Sequence, residues 1–211
     1  ARTIEISHES FIEAINGKKL FSYQGIEESD MFLLPDLSTF SIVPWMEHDR
    51  VTALIICNIH SPDGSPFGEC TRSILKKNIN TLNDMGFEMK IGTESEFFLF
   101  PVDEKGRPFI DIHDNGEYMD FAPLDKGEKI RREIVETMET MGLKFENSHH
   151  EMSQGQHEIN FSPSDPLKGA DNFVIFRIIV RTIAAKNGCH ATFMPKPVQF
   201  RRGSGLHIHQ S

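Results

Sequence analysis

Glu94 and Glu96 sit two residues apart in the run Gly92-Thr93-Glu94-Ser95-Glu96-Phe97-Phe98-Leu99-Phe100, and that spacing limits what the chain can become. On a strand, alternate side chains share a face, so both carboxylates point the same way, roughly 6–7 Å apart. Carboxylates among apolar neighbours are costly to desolvate unless they are protonated, paired with cations or bound to metal. A solvent-facing edge strand would also accommodate them. The residues downstream favour metal.

Near the end of the chain, His207, His209 and Ser211 fall on one face of a strand while Leu206, Ile208 and Gln210 take the other. Glu158 and Asn160 share a face opposite Ile159 and Phe161, and Glu151 stands one loop earlier, in the stretch 148–156. The candidate set is therefore Glu94, Glu96, Glu151, Glu158 and His207. Four carboxylates and an imidazole suit hard divalent ions such as Mg²⁺ or Mn²⁺. Several carboxylates with open positions also suit a two-metal site, whose ions bridge phosphate oxygens. His149 and His150 are adjacent and point apart on an extended chain, which fits supporting or packing roles better than zinc ligation. Gly203-Ser204-Gly205 would let backbone approach a ligand closely, though a lone Gly-x-Gly is as often just a turn.

With 211 residues, 38% hydrophobic and 25% charged, the composition is that of an ordinary soluble globular protein. A formal net charge of −9 disfavours nucleic acid and anionic membranes as partners. Three cysteines without CxxC spacing suggest neither a disulfide framework nor structural zinc, and make the cytoplasm the expected compartment. The most apolar long stretch, 173–185, is interrupted by Arg177 and Arg181, so it reads as a soluble helix. Alternation at residues 3–6 and strand-like pieces at 31–34, 40–43 and 51–57, followed by the turn-rich run 61–66, make residues 1–67 a small β-rich domain. Beyond it, the apolar spacing predicts helices capped by Thr71, from about 128, and over about 168–186. Strands at 157–161, 189–194 and 205–211 alternate with these helices, which points to an α/β or α+β sheet and not an all-helical bundle. Ile130, Ile134, Met138 and Met141 recur at core spacing, so the methionines are packing residues.

The strand motif, His149-His150-Glu151 with Gly155-Gln156-His157-Glu158, the run Ala191-Thr192-Phe193-Met194-Pro195-Lys196-Pro197, and Gly203-Ser204-Gly205-Leu206-His207-Ile208-His209-Gln210-Ser211 together resemble successive signatures of the bacterial type I glutamine synthetase family. Ile26-Glu27-Glu28-Ser29-Asp30-Met31 with Pro35-Asp36 adds to the likeness. The resemblance implies the N-terminal half of such a chain, of the α+β class: a β-grasp domain over 1–67, its first strands missing, then over 68–211 the first part of a catalytic domain with a curved antiparallel sheet flanked by helices. It implies ATP-dependent joining of ammonia to glutamate through γ-glutamyl phosphate, with Mg²⁺ or Mn²⁺, in a homo-oligomer, a dodecamer. By motif position, Glu96, Glu151 and Glu158 would hold one metal, and Glu94 and His207 the second. His209 and Ser211 would meet ATP, and Gly203 the substrate glutamate.

Three departures from the family pattern stand out. Phe21 runs directly into Ser22-Tyr23-Gln24-Gly25, where the family carries Asp-Gly-Ser-Ser with an ammonium-binding aspartate. Arg202 replaces an asparagine, and Pro163 replaces an aromatic near the nucleotide. The chain also begins at Ala1 and stops at Ser211, before the family's later phosphate-binding arginines, so an excerpt without turnover of its own is expected. Two alternatives follow: a γ-glutamyl-amine or polyamine ligase of the same superfamily, or a truncated, non-catalytic assembly or regulatory subunit.

Overall fold

In a computed structural model, residues 6–16, 31–46, 51–110 and 114–211 are described. The alternation expected at 3–6, the segment after Phe21 and the motif beginning at Ile26 lie wholly or mostly outside them. The chain divides into two compact units, Ala1–Met89 and Lys90–Ser211.

In the first unit, helix α1 (His8–Ile15) is followed by two antiparallel ladders: β1 (Phe32–Pro35) with β4 (Cys57–His60), and β2 (Ser41–Ile42) with β3 (Ala53–Leu54). The piece expected as one strand over 51–57 is thus split, and the Ile56 N–H turns aside to the Thr39 hydroxyl at 2.8 Å. Asp36 caps a short 3₁₀ turn, accepting from the Ser38 N–H, and pairs with Arg72 at 2.7 Å. Arg72 lies on α2 (Thr71–Asp84), whose cap position belongs to Cys70 and not, as expected, to Thr71. Cys70 has extended backbone angles, and its thiol makes no capping bond.

The second unit is built on β5 (Ile91–Pro101), the strand that carries the paired glutamates. Among the described residues its sheet runs β6 (Phe145–His150), β7 (Gln156–Phe161), β5, with β8 (Cys189–Thr192) and β9 (Leu206–Gln210) both on the far side of β5. All these pairings are antiparallel. β6 corrects the expectation of a loop there: Ser148 and His149 look like loop residues alone, but pair with Ile159 and Glu158. Long-range pairing has overridden local polarity.

One face of β5 presents Thr93, Ser95, Phe97 and Leu99, all buried. Helix α4 (Pro166–Lys186) is adjacent to β5 and β8, and Phe176 meets Phe97 edge-on at 6.1 Å. Asp165 starts that helix by accepting from the Lys168 N–H at 2.9 Å, with Pro166 at its first turn. Helix α3 (Glu128–Thr140) buries Ile130, Ile134 and Met138 at four-residue spacing and lies beside α4 and β6. Burying each large apolar side chain stabilises the unit by roughly 1.5–3 kcal/mol, so the helix-covered face fixes the sheet and leaves the other face for polar groups.

Candidate metal-binding site

The opposite face of β5 changes character halfway along. Phe98 and Phe100 stack at 5.9 Å in its second half, while Glu94 and Glu96 occupy the first. Cross-strand register then gathers the other candidates. Glu94 is opposite Asn160 on β7 and His207 on β9; Glu96 is opposite Glu158, which is opposite His149 on β6. Because β8 and β9 occupy successive lengths of the same edge of β5, the connection 193–205 must leave the sheet and return. It carries Gly203 past Glu96, and the Gly203 carbonyl accepts from Gln156 Nε2 at 3.0 Å.

The result is a cavity of about 1000 Å³ lined by Glu94, Glu96, Glu151, Glu158, His207 and Gly203, among others. All five predicted metal-ligating residues therefore meet in one place. His209 donates toward Glu94 at 2.7 Å, beside His207 at 2.8 Å. Ser211 instead pairs through its backbone with Lys90 at the sheet's edge. Arg202, one of the departures expected from the sequence, lines the cavity and introduces a positive charge.

Several contributors escape a sequence reading. Gln156 Nε2 donates to Glu96 at 2.6 Å; its alternation with Glu158 and Asn160 could have revealed it. His149 bridges the acids, 3.6 Å from Glu158 and 4.0 Å from Glu151, and ligand atoms of these three lie within 4.8 Å of one another. Tyr118 and Met119 form a further wall, the Tyr118 ring standing edge-on to His149 at 5.4 Å. Gly205 leaves room for the site's side chains: a Cβ there would lie 2.7 Å from Glu96 Oε1 and 3.0 Å from His207 Nε2, so the carboxylate would have to shift.

The acids of the cluster differ in their electrostatic surroundings. The hydrogen bond to Glu94 raises the His207 pKa, while His207 first, and then His209, hold the Glu94 carboxyl below its usual value. Glu158 is similarly held down by its bond from His149, whose own pKa that bond raises. Glu151 goes the other way: burial pushes it up, with neighbouring Glu96 and Glu158 adding to the effect. A carboxylate so placed has more like charge around it than the histidines neutralise, and a divalent cation fits that donor set.

Known proteins resemble this chain along most of its length. The description "Glutamine synthetase, catalytic domain" matches residues 68–211, and "Glutamine synthetase, beta-Grasp domain" matches residues 6–62. Glutamine synthetase of Staphylococcus aureus (strain MW2) is 45% identical over 197 residues, 93% of this chain and 44% of the relative. That of Staphylococcus epidermidis is 46% identical over the same shares. The chain thus spans about 44% of the length of these curated relatives. Among solved structures, a cryo-EM structure of Plasmodium falciparum glutamine synthetase aligns with TM-score 0.76 and 28% identity, covering 89% of this chain and 42% of that one. A GmaS/ADP complex aligns with TM-score 0.81 and 28% identity, covering 95% of this chain and 47% of that one. With an α+β architecture of a β-grasp domain followed by part of an antiparallel catalytic sheet and its helices, the chain belongs to the glutamine synthetase family.

Proposed function

We propose that this chain supplies the divalent-metal half of an ATP-dependent carbon–nitrogen ligase that joins ammonia to the γ-carboxylate of glutamate. The observation that carries this reading is the convergence of Glu94, Glu96, Glu151, Glu158 and His207 on one cavity. Glu96, Glu151 and Glu158 would hold one Mg²⁺ or Mn²⁺ ion, and Glu94 with His207 a second. When bound, such ions neutralise charge on carboxylate and phosphate oxygens.

In the proposed reaction a γ-carboxylate oxygen of glutamate attacks the terminal phosphorus of ATP, expelling ADP. Ammonia nitrogen then attacks the resulting γ-glutamyl phosphate, loses a proton and releases phosphate. Gln156 orients Glu96 and fixes the Gly203 carbonyl, so the glycine segment that would meet glutamate is tied to a metal-holding carboxylate. His209 and Ser211 would contact the nucleotide. The domain boundary near residue 67, the cytoplasmic setting and assembly into a dodecamer belong to the same reading; among the described residues, no helix is long and apolar enough to cross a membrane.

The test is phosphate release from ATP by the intact gene product. Release that requires both glutamate and ammonium supports the reading, and its absence refutes it. One second reading, a γ-glutamyl-amine or polyamine ligase of the same superfamily, starts from the run Phe21-Ser22-Tyr23-Gln24-Gly25, which lacks the Asp-Gly-Ser-Ser expected there. Release driven by a small alkylamine or polyamine, and not by ammonium, would establish that reading instead.

A further inference from the structure

Behind the carboxylates, on the helix-covered side of the sheet, lies a second polar group: Asp114, Asp125, His150 and His157, all buried, with metal-capable atoms within 4.8 Å of one another. A cation of the chain's own stands among them. Arg131, 5% exposed on α3, donates through Nη1 to Asp125 Oδ2 at 2.6 Å and to His157 Nδ1 at 2.9 Å. A guanidinium only donates, so His157 Nδ1 is the acceptor. His150 faces acceptors on both sides: Asp114 Oδ2 is 3.1 Å from Nε2, and the Glu151 carbonyl is 2.6 Å from Nδ1. His150 thus spans Asp114 and the Glu151 carbonyl, while Arg131 joins Asp125 to His157.

This network grips both ends of segment 114–127. Asp125 also accepts from the Gly127 N–H, and Asp114 from the Gly155 N–H, each at 2.8 Å. Gly116 and Gly127 press against the His150 and His157 rings with no room for a Cβ. Between these anchors the segment comes round β6, which among the described residues has a strand on one side only. There the Met119 N–H donates to the His150 carbonyl at 3.0 Å, and Tyr118 and Met119 enter the cavity.

We propose that Arg131 is a positioning residue for the carboxylate site: as the fixed cation of a buried Asp125–Arg131–His157 and Asp114–His150 network, it holds the Tyr118–Met119 wall and the Glu151 backbone in place across the sheet. This rests on reading the carboxylate cavity as a divalent-metal site. An arginine suits the task because it stays charged when buried and its planar fork fixes partners in direction as well as distance.

The test compares the wild-type chain with Arg131→Met, Arg131→Lys and Asp114→Asn by Mn²⁺ titration and amide hydrogen exchange. Arg131→Met should weaken Mn²⁺ binding by at least about tenfold and speed exchange at Met119 and Gly155 relative to Phe97, with circular dichroism unchanged; Arg131→Lys should restore part of both. A folded Arg131→Met with wild-type Mn²⁺ affinity overturns the proposal. If that variant does not fold, a folded Asp114→Asn with unchanged affinity and exchange overturns it. A wild-type chain that takes up no Mn²⁺ refutes the proposed function instead, and exchange at Met119 and Gly155 then decides the positioning role alone. Stoichiometric Zn²⁺ retained by the wild type and lost in His157→Ala would make the cluster a metal site and overturn the proposal.

Discussion

Gly116→Ala is a sharp probe of how tightly segment 114–127 is seated. The added methyl would lie 2.7 Å from His150 Nε2 and 2.8 Å from Cδ2. Comfortable contacts are about 3.5–4.0 Å, so the ring must retreat by roughly 0.7–1 Å. It has nowhere to go. His150 is fully buried, lies edge-on to His157 at 5.0 Å, and is bonded at both nitrogens. Overpacking of this kind costs about 1–3 kcal/mol, and the reduced freedom of the unfolded chain returns about 0.4–1 kcal/mol. A net loss of about 1–2 kcal/mol should raise the open population of this unit roughly 5- to 30-fold. Native-state exchange at the β5 and β7 amides reads that change directly. In a His150→Ala background the same glycine change should cost nothing, because the obstructing ring is gone. An equal penalty in both backgrounds would refute the steric reasoning.

Gly205→Ala should weaken Mn²⁺ binding by at least about tenfold, since the methyl intrudes on Glu96 Oε1 and His207 Nε2; an unchanged titration would contradict that geometry. Glu94→Gln should lower the His207 pKa toward the ordinary imidazole value in an NMR titration, because its bond to Glu94 is the main cause of the upward shift. Asp36 is held below its usual value first by the Ser38 hydroxyl and also by Arg72. Its contribution is therefore complete above the unfolded carboxyl range and is lost as pH falls through the depressed folded value. Asp36→Asn should cost about 1–2 kcal/mol in urea unfolding near neutral pH, with the difference vanishing in strong acid.

The carboxylate site was legible because its residues advertise themselves by parity. Glu94 with Glu96, Glu158 with Asn160, and His207 with His209 each occupy alternate positions on short apolar strands, and charge in that pattern needs a reason. Helix α3 was equally readable from the spacing of its apolar residues, and α4 from the length of its apolar stretch. What stayed hidden depends on partners distant in sequence. His149 resembles a loop residue until Glu158 lies opposite it, and Arg131 resembles one more surface arginine on a charged helix until Asp125 and His157 enclose it. Nothing local marks Asp114, whose meaning lies entirely in the His150 ring and the Gly155 N–H that it meets.

The most direct measurement is a Mn²⁺ titration of the chain followed by electron paramagnetic resonance, with Glu96→Ala alongside. Saturable uptake by the wild type, weakened at least about tenfold in the variant, is the predicted result. Uptake unaffected by the loss of Glu96 would contradict the claim that these acids are gathered to hold metal.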